Sequence, residues 1–227
     1  NRGKVFRLKC YELPSDASRT AKGIAAINLF PIAEGERVTA MVTVTSFSPA
    51  TYLLMATRNG EIKKTALDKF SSIRSSGLIA MDLAESDELV AASLATDQDE
   101  ILLVTRGGQS IRFVVSELRA SSRTSGGVRS IHLKVEDRVV NMDVVRPGSF
   151  VLIVSALGFG KLTPVSQYPR QHRAGRGVTT FKITQKTGEV AAVRLVLPTQ
   201  QLLIISAEGI VIRTPVKGKA GHGIRVC

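Results

Sequence analysis

Residues Thr57–Gly77 read TRNGEIKKTALDKFSSIRSSG, and the order of parts in this stretch decides the fold. A turn at Asn59-Gly60 separates the apolar run Tyr52–Ala56 from the mixed run Glu61–Lys64, which is the arrangement of a β-hairpin. A short connector follows, then a basic Ser/Arg/Gly loop. The same unit returns at Thr105–Gly127 (TRGGQSIRFVVSELRASSRTSGG) and Ser155–Gly177 (SALGFGKLTPVSQYPRQHRAGRG), and in degraded or clipped form at Asn1–Gly23 and Ser206–Gly223. Its turn glycines are Gly3, Gly60, Gly108, Gly158 and Gly209, separated by 57, 48, 50 and 51 residues. Five copies at a nearly fixed period mark a repeat architecture.

Each repeat has the same grammar. An apolar run (Tyr52–Ala56, Ile101–Val104, Phe150–Val154, Leu202–Ile205) leads into the glycine turn. A strand of mixed polarity leaves it: Val5–Leu8, Glu61–Lys64, Ser110–Phe113, Ile210–Thr214. After the basic loop comes a β-like segment (Ile24–Phe30, Leu78–Leu83, Val128–Leu133, Val178–Ile183), then an acidic turn and a further apolar strand such as Val38–Val44 or Glu189–Val196. That amounts to about four strands per repeat, with no convincing 3.6-residue period in any window. Short, evenly spaced strands in units of about fifty residues predict an all-β, propeller-like disc of four-stranded antiparallel blades with five to six repeats. The expected organisation is one domain over residues 1–227, with repeats beginning near residues 1, 57, 105, 155 and 206 and both ends falling within a repeat.

The bulk composition narrows the function. At 227 residues and 44% hydrophobic, the chain can bury a sizeable core. Cys10 and Cys227 form no disulfide framework, which fits a reducing cytoplasm. No stretch of eighteen consecutive apolar residues is present and no signal peptide opens the chain, so a soluble protein without a membrane partner is expected. A formal net charge of +12 points to a polyanion as partner.

The charge is partitioned by repeat phase. Segments 1–23, 57–77, 105–129, 155–177 and 206–225 hold 24 of the 31 Lys and Arg residues but only 6 of the 19 Asp and Glu. Equivalent segments of a repeat fold occupy equivalent places, so this pattern predicts a continuous basic band, with the acidic turns Glu34-Gly35-Glu36, Glu85–Glu88 and Asp97–Glu100 collected elsewhere. Four residues after the turn glycine stand Arg7, Lys64, Arg112 and Arg213, with Lys161 slipped by one place. Four before the loop glycine stand Arg19, Arg123, Arg173 and Lys219, with Arg74 at three. Together with Lys22, Lys63, Arg129, Arg170 and Arg176 on the same segments, these are the candidate phosphate-contacting residues. For any one of them, a lysine or arginine guarding an exposed strand edge is an equally good reading. With eight Phe, three Tyr and no Trp, mostly inside apolar runs, stacking platforms for single strands are lacking and backbone-held duplex DNA is favoured, with low sequence specificity.

No catalytic constellation is legible, and no cofactor is implied. Gly158-Phe159-Gly160-Lys161 lacks the spacing and following helix of a phosphate loop. His132, His172 and His222 are singletons without metal-ligand spacing. Tyr11, Tyr52 and Tyr168 are neither preceded by arginine nor set in a helix, so none reads as a nucleophile for DNA cleavage.

The stretches NRGKVFRLKCYELP, SRTAKGIAAINLFPIAEGERV, KKTALDKFSSIRSSGLIAMDL, TRGGQSIRF, GFGKLTPVSQYP, RAGRGVTTFKI and EGIVIRTPV closely resemble the C-terminal domain family of DNA gyrase A subunits, across every repeat. The resemblance implies a β-pinwheel whose blades exchange strands and whose basic rim bends duplex DNA, a non-catalytic part of an ATP-dependent type II topoisomerase that introduces negative supercoils. It further implies, as partners, the gyrase B subunit plus the rest of the gyrase A subunit, with the cleaving tyrosine and ATPase outside this chain. A monomeric isolated domain and a bacterial cytoplasm at the nucleoid follow from the same resemblance. The family usually has six repeats, and its first-repeat heptapeptide, close to QRRGGKG, is absent; the nearest match is Gln171–Gly177, QHRAGRG. Two alternatives stand beside this reading: a topoisomerase IV-type disc that tethers DNA without chiral wrapping, and a propeller-like scaffold for protein partners.

Overall fold

The computed structural model describes residues 1–13, 24–205, 209 and 211–216, with the backbone of 223–225. Among these residues the architecture is almost entirely β. The strands are β1 (Lys4–Val5), β2 (Tyr52–Thr57), β3 (Glu61–Ala66), β4 (Leu78–Ile79), β5 (Leu89–Ala95), β6 (Glu100–Thr105), β7 (Gln109–Val114) and β8 (Val128–Arg129), followed by β9 (Val139–Val144), β10 (Phe150–Ser155), β11 (Phe159–Pro164), β12 (Val178–Thr179), β13 (Val190–Val196), β14 (Gln201–Ile205), β15 (Val211–Pro215) and β16 (Gly223–Arg225). Single 3₁₀ turns follow three of the hairpins, at Leu67–Phe70, Val115–Glu117 and Val165–Gln167.

Three four-stranded antiparallel sheets have the orders β5-β2-β3-β8, β9-β6-β7-β12 and β13-β10-β11-β16, beside the pairs β1-β4 and β14-β15. In each full sheet the last strand comes from the following repeat: Glu61 and Ile62 pair with Arg129 and Val128, and Ser110 and Gln109 pair with Val178 and Thr179. The blades therefore exchange strands, as expected of a pinwheel. At the opposite edge β5 packs on β9 and β9 on β13. The β5, β9 and β13 edges thus meet neighbouring blades, and the exchanged strands β8, β12 and β16 form the perimeter.

The near-continuous apolar runs follow from burial on both strand faces, since each sheet is sandwiched between its neighbours. Leu53 and Met55 face the first repeat with Phe70 and Met81, whereas Leu54 and Ala56 face the next blade with Ile101, Leu103 and Phe113. Leu102 and Val104 then face the blade beyond, against Val151, Ile153 and Tyr168. The core is a series of layers between blades.

Hairpin closure repeats in detail. The buried hydroxyls of Thr57, Thr105 and Ser155 accept from the backbone N–H of Glu61, Gln109 and Phe159 at 3.1, 3.1 and 3.2 Å. The turn-glycine carbonyl then binds the next repeat: Gly3 O accepts from Ala80 and Met81, Gly60 O from Ser130, and Gly108 O from Thr180 and Phe181. Gly108 has φ 76°, and a methyl group there would drive into the Phe181 carbonyl. Glycine is needed both for its left-handed conformation and for that close approach.

The expected β-like segments after the basic loops are shorter than their apolar runs suggest. Only Leu78–Ile79, Val128–Arg129 and Val178–Thr179 are strands, because Ala80, Ser130 and Thr180 turn inward to the glycine carbonyls. Ile24–Phe30 contains a 3₁₀ turn at Ala26–Asn28, and Val38–Val44 forms no strand. Its counterpart β5 is held by pairing with β2, and among the described residues the first repeat has no strand in the β2 position. Of Val5–Leu8 only Val5 is extended in a ladder, through β1, and Ile210 lies outside the described residues.

Gly108→Ala should lower the unfolding free energy by roughly 3 kcal/mol or more, combining the left-handed penalty of about 1–2 kcal/mol with displacement of the exchanged strand. Gly148→Ala, at φ 73° with nothing within 4 Å, should cost only that left-handed penalty, about 1–2 kcal/mol. Urea denaturation of both variants separates the two contributions.

Candidate nucleic-acid interface

Three loops carry the candidate residues, each running from a 3₁₀ turn to the strand exchanged onto the preceding blade: residues 71–77, 119–127 and 169–177. Because the exchanged strands form the perimeter, so do these loops. Arg74, Arg129, Arg170 and Arg176 are exposed, and Arg123 and Arg173 are half-buried. Arg123 donates to Lys69 O at 3.1 Å, and Arg173 to Arg129 O at 3.3 Å, so each loop arginine is braced on the preceding repeat. Lys69 and Arg119 are exposed cations on the same stretches that phase matching passes over. Counting every cation from the start of the 3₁₀ turn to the exchanged strand would have found them.

The other phase of cations points inward, contrary to expectation. Lys63 and Lys64 are only 2% and 4% exposed. The Lys63 ammonium donates to Ala80 O at 2.8 Å, Arg123 O at 2.6 Å and Ser125 O at 2.8 Å, one acceptor for each of its three protons. Burial lowers its pKa to about 8, with Asp82 offsetting part of the effect, so the ammonium persists at neutral pH. Lys64 donates to Leu118 O at 3.0 Å, pairs with Asp97 and lies 4.3 Å over the Tyr52 ring. Arg112 repeats this contact one blade on, donating to Val165 O at 3.0 Å, Tyr168 O at 3.1 Å and Glu100 Oε2 at 2.6 Å. Lys161 reaches Thr180 O at 2.9 Å.

Arg7 is exposed but donates to Ser71 O at 2.7 Å and stacks over Phe47 at 5.1 Å. Arg213 is exposed and binds Gln201 on its own hairpin. The physical reason for the inward set is geometric. The 3₁₀ turn of the next repeat leaves backbone carbonyls between blades, and a long cationic side chain from the facing hairpin satisfies them. Arg19, Lys22 and Lys219 lie outside the described residues.

The acidic turns also divide in a way that phase did not reveal. Asp87 and Asp137 stay with the hairpin turns of their own repeat, accepting from Asn59 N at 2.9 Å and Gly107 N at 2.7 Å. The Asp97–Glu100 turn instead meets the basic set through Asp97–Lys64, Glu100–Arg112 and Glu100–Arg170. The Lys64 hydrogen bond holds the Asp97 carboxyl below its usual range. Burial pushes the Glu100 carboxyl up, but the Arg112 and Arg170 guanidiniums outweigh it and hold that carboxyl low as well. Tyr52 and Tyr168 use their hydroxyls structurally, on Asp97 at 3.2 Å and on Thr180. Among the described residues no group of three His, Cys, Asp or Glu side chains is placed to hold a metal ion, and no helix is long and apolar enough to cross a membrane.

A family model for the DNA gyrase C-terminal domain, beta-propeller, matches residues 1–45, 51–96, 99–146, 149–196 and 200–218, one segment for each repeat. The chain belongs to that family. It is 56% identical over 216 residues to the DNA gyrase A subunit of Dehalogenimonas lykanthroporepellens, covering 95% of this chain and 26% of that protein. To the DNA gyrase A subunit of Escherichia coli it is 38% identical over 216 residues, 95% of this chain and 25% of that one. The gyrase domain thus spans about a quarter of the curated relatives it matches. A solved DNA gyrase A C-terminal domain superposes with TM-score 0.84 at 24% identity, over 100% of this chain and 75% of that one. The C-terminal domain of a DNA topoisomerase IV superposes with TM-score 0.78 at 23% identity, over 86% and 61%. Both share the fold.

In the gyrase domain, Lys64→Met should cost about 2–3 kcal/mol by leaving the inter-blade Leu118 carbonyl without its donor and the Asp97 carboxylate without its partner. A carboxyl whose folded pKa is lowered contributes stability above the ordinary value, 3.8 for Asp97, and loses it as pH falls through the lowered one. Lys64→Met should therefore also flatten the fall in melting temperature below pH 4. Calorimetry across pH 3–7 checks both effects.

Proposed function

We propose that this chain is the DNA-wrapping module of a gyrase: a non-catalytic element that binds duplex DNA around its perimeter. It works with the gyrase B subunit plus the remainder of the gyrase A subunit in the bacterial cytoplasm. One observation carries the reading. Equivalent perimeter loops present Arg74, Arg119, Arg123, Arg129, Arg170, Arg173 and Arg176 on a chain of net charge +12, while the inward cations are consumed by backbone carbonyls. Exposed arginines on loops suit phosphate contacts. The perimeter offers no recognition helix among the described residues, so binding is electrostatic and largely indifferent to base sequence. Curving some tens of base pairs costs on the order of several kcal/mol, which a row of phosphate contacts can offset where a single patch cannot.

Sealing a nicked plasmid with rising amounts of the chain at low salt, then deproteinising it, should shift the linking-number distribution progressively. Binding without a shift would indicate a tether that does not wrap chirally. Absence of binding would sink the nucleic-acid reading and favour the protein scaffold. Replacing Arg74, Arg123, Arg129 and Arg173 together by Gln should reduce the slope of log K against log salt by about 0.9 for each phosphate no longer neutralised, three to four in all, whereas Arg37→Gln, at an exposed cation outside the perimeter loops that pairs with Glu88, should leave that slope unchanged. Fluorescence anisotropy with a labelled duplex measures both.

A further inference from the structure

The perimeter arginines differ in one respect that repeat phase conceals. Arg170 is paired with a carboxylate supplied by the preceding repeat, Glu100 of β6. Glu100 is itself only 11% exposed and is held in place by Arg112, whereas the Arg170 side chain is 63% exposed. In the preceding loop the matching position is Ala120, since Lys64 bridges to Ala120 as Arg112 bridges to Arg170. Its nearby carboxylate, Asp97, is occupied by Lys64 and Tyr52.

We infer that Glu100 is an internal stand-in for a DNA phosphate: it occupies Arg170 in the unbound protein and tempers the affinity of the 169–177 loop for duplex. The inference rests on the duplex-binding reading above. The chemistry is direct. A carboxylate and a phosphate oxygen compete for the same guanidinium face, and a carboxylate fixed beside that guanidinium also repels an approaching phosphate at a range shorter than the screening length. The fixed charge is positioned by Arg112, whose other hydrogen bonds hold the next blade's backbone, so it cannot simply swing away when DNA arrives. The cation at 170 is thereby present in the charge pattern yet discounted in binding. Glu117 braces the same loop without this effect, accepting from Arg173 N at 3.0 Å and leaving the Arg173 guanidinium to Arg129 O.

A double-mutant cycle on the 227-residue chain, read by anisotropy with a labelled duplex of about 40 base pairs over a salt series, tests this. Arg170→Gln should weaken binding less than twofold in the parent. Glu100→Gln, which keeps an acceptor for Arg112, should tighten binding roughly three- to tenfold and steepen the salt slope by about 0.9, one additional phosphate contact. Arg170→Gln placed on Glu100→Gln should then abolish that gain. Glu85→Gln removes the same charge from an exposed acidic turn and should give less than half the gain.

Equal costs for Arg170→Gln in the two backgrounds, or an equal gain from Glu85→Gln, would overturn the inference while leaving duplex binding standing. Failure of the parent to bind duplex would overturn the underlying reading instead. Should Glu100→Gln not fold, Ala120→Arg offers an arginine at the matching place with no carboxylate to spare. A gain of at least threefold supports the inference, and no gain overturns it.

Discussion

The cation-to-carbonyl contact between blades is the constraint on which the rest of this disc depends. A strand-exchanged fold must turn its chain sharply after each hairpin, and the 3₁₀ turns at Leu67–Phe70, Val115–Glu117 and Val165–Gln167 leave carbonyls facing a neighbouring blade. Buried carbonyls without donors would cost about 1–3 kcal/mol each. Lys64 and Arg112 supply those donors from the hairpin of the preceding repeat, at Leu118 O and at Tyr168 O, and Arg7 makes the equivalent contact at the exposed Ser71 O. Lys63 goes further, because two of its three acceptors, Arg123 O and Ser125 O, are the backbone of a perimeter loop. The buried lysine positions the segment that displays the exposed arginine.

The folded core and the displayed charge are therefore coupled. A perimeter rich in arginine repels itself, and nothing in its own composition would order loops made of Ser, Thr and Gly. They are ordered by their attachments: Gly60 O to Ser130 N, Lys64 O to Ser121 N, Arg112 O to Gln171 N, and Ser130 O to Ala174 N. Every one of these bonds runs between successive repeats. Order on the perimeter is inherited from blade stacking, which explains how loops 119–127 and 169–177, without an Ile73-like apolar anchor, can present several cations at fixed places.

Much of this was legible in the amino-acid sequence, and the exceptions have physical causes. The turn glycines, the buried hairpin runs and the four-stranded repeat follow from local chemistry, since a left-handed turn and a two-sided buried strand leave clear residue signatures. Among the perimeter arginines, Arg74, Arg123 and Arg173 stand out by their phase, and Arg129, Arg170 and Arg176 by lying on the same basic segments. The lengths of the exchanged strands were not legible, because Ala80, Ser130 and Thr180 leave the ladder to meet a glycine carbonyl that is distant in sequence. Nor was the direction of Lys63 and Lys64. Both sit in a hairpin strand with a reasonable edge-strand pattern, and what draws them inward is a set of carbonyls belonging to another repeat. A long-range acceptor writes nothing into the residues around its donor.

Repeat phase alone is accordingly a weaker guide to function than it first looks. The two positions after the turn read Phe6-Arg7, Lys63-Lys64, Ile111-Arg112, Lys161-Leu162 and Ile212-Arg213. Every repeat has at least one cation there, and in the first four that side chain binds a backbone carbonyl: Arg7 and Arg112 in the next repeat, Lys64 likewise, and Lys161 on Thr180. Recurrence at a fixed phase demonstrates an equivalent environment, and an equivalent environment can be a blade interface as readily as a ligand surface. What separates the two is the supply of acceptors. Where the neighbouring repeat provides carbonyls, the cation is structural. Where no described residue gives the guanidinium a hydrogen-bond or ion-pair partner, as at Arg74 and Arg176, the cation stands exposed and open to a counter-charge from outside the protein.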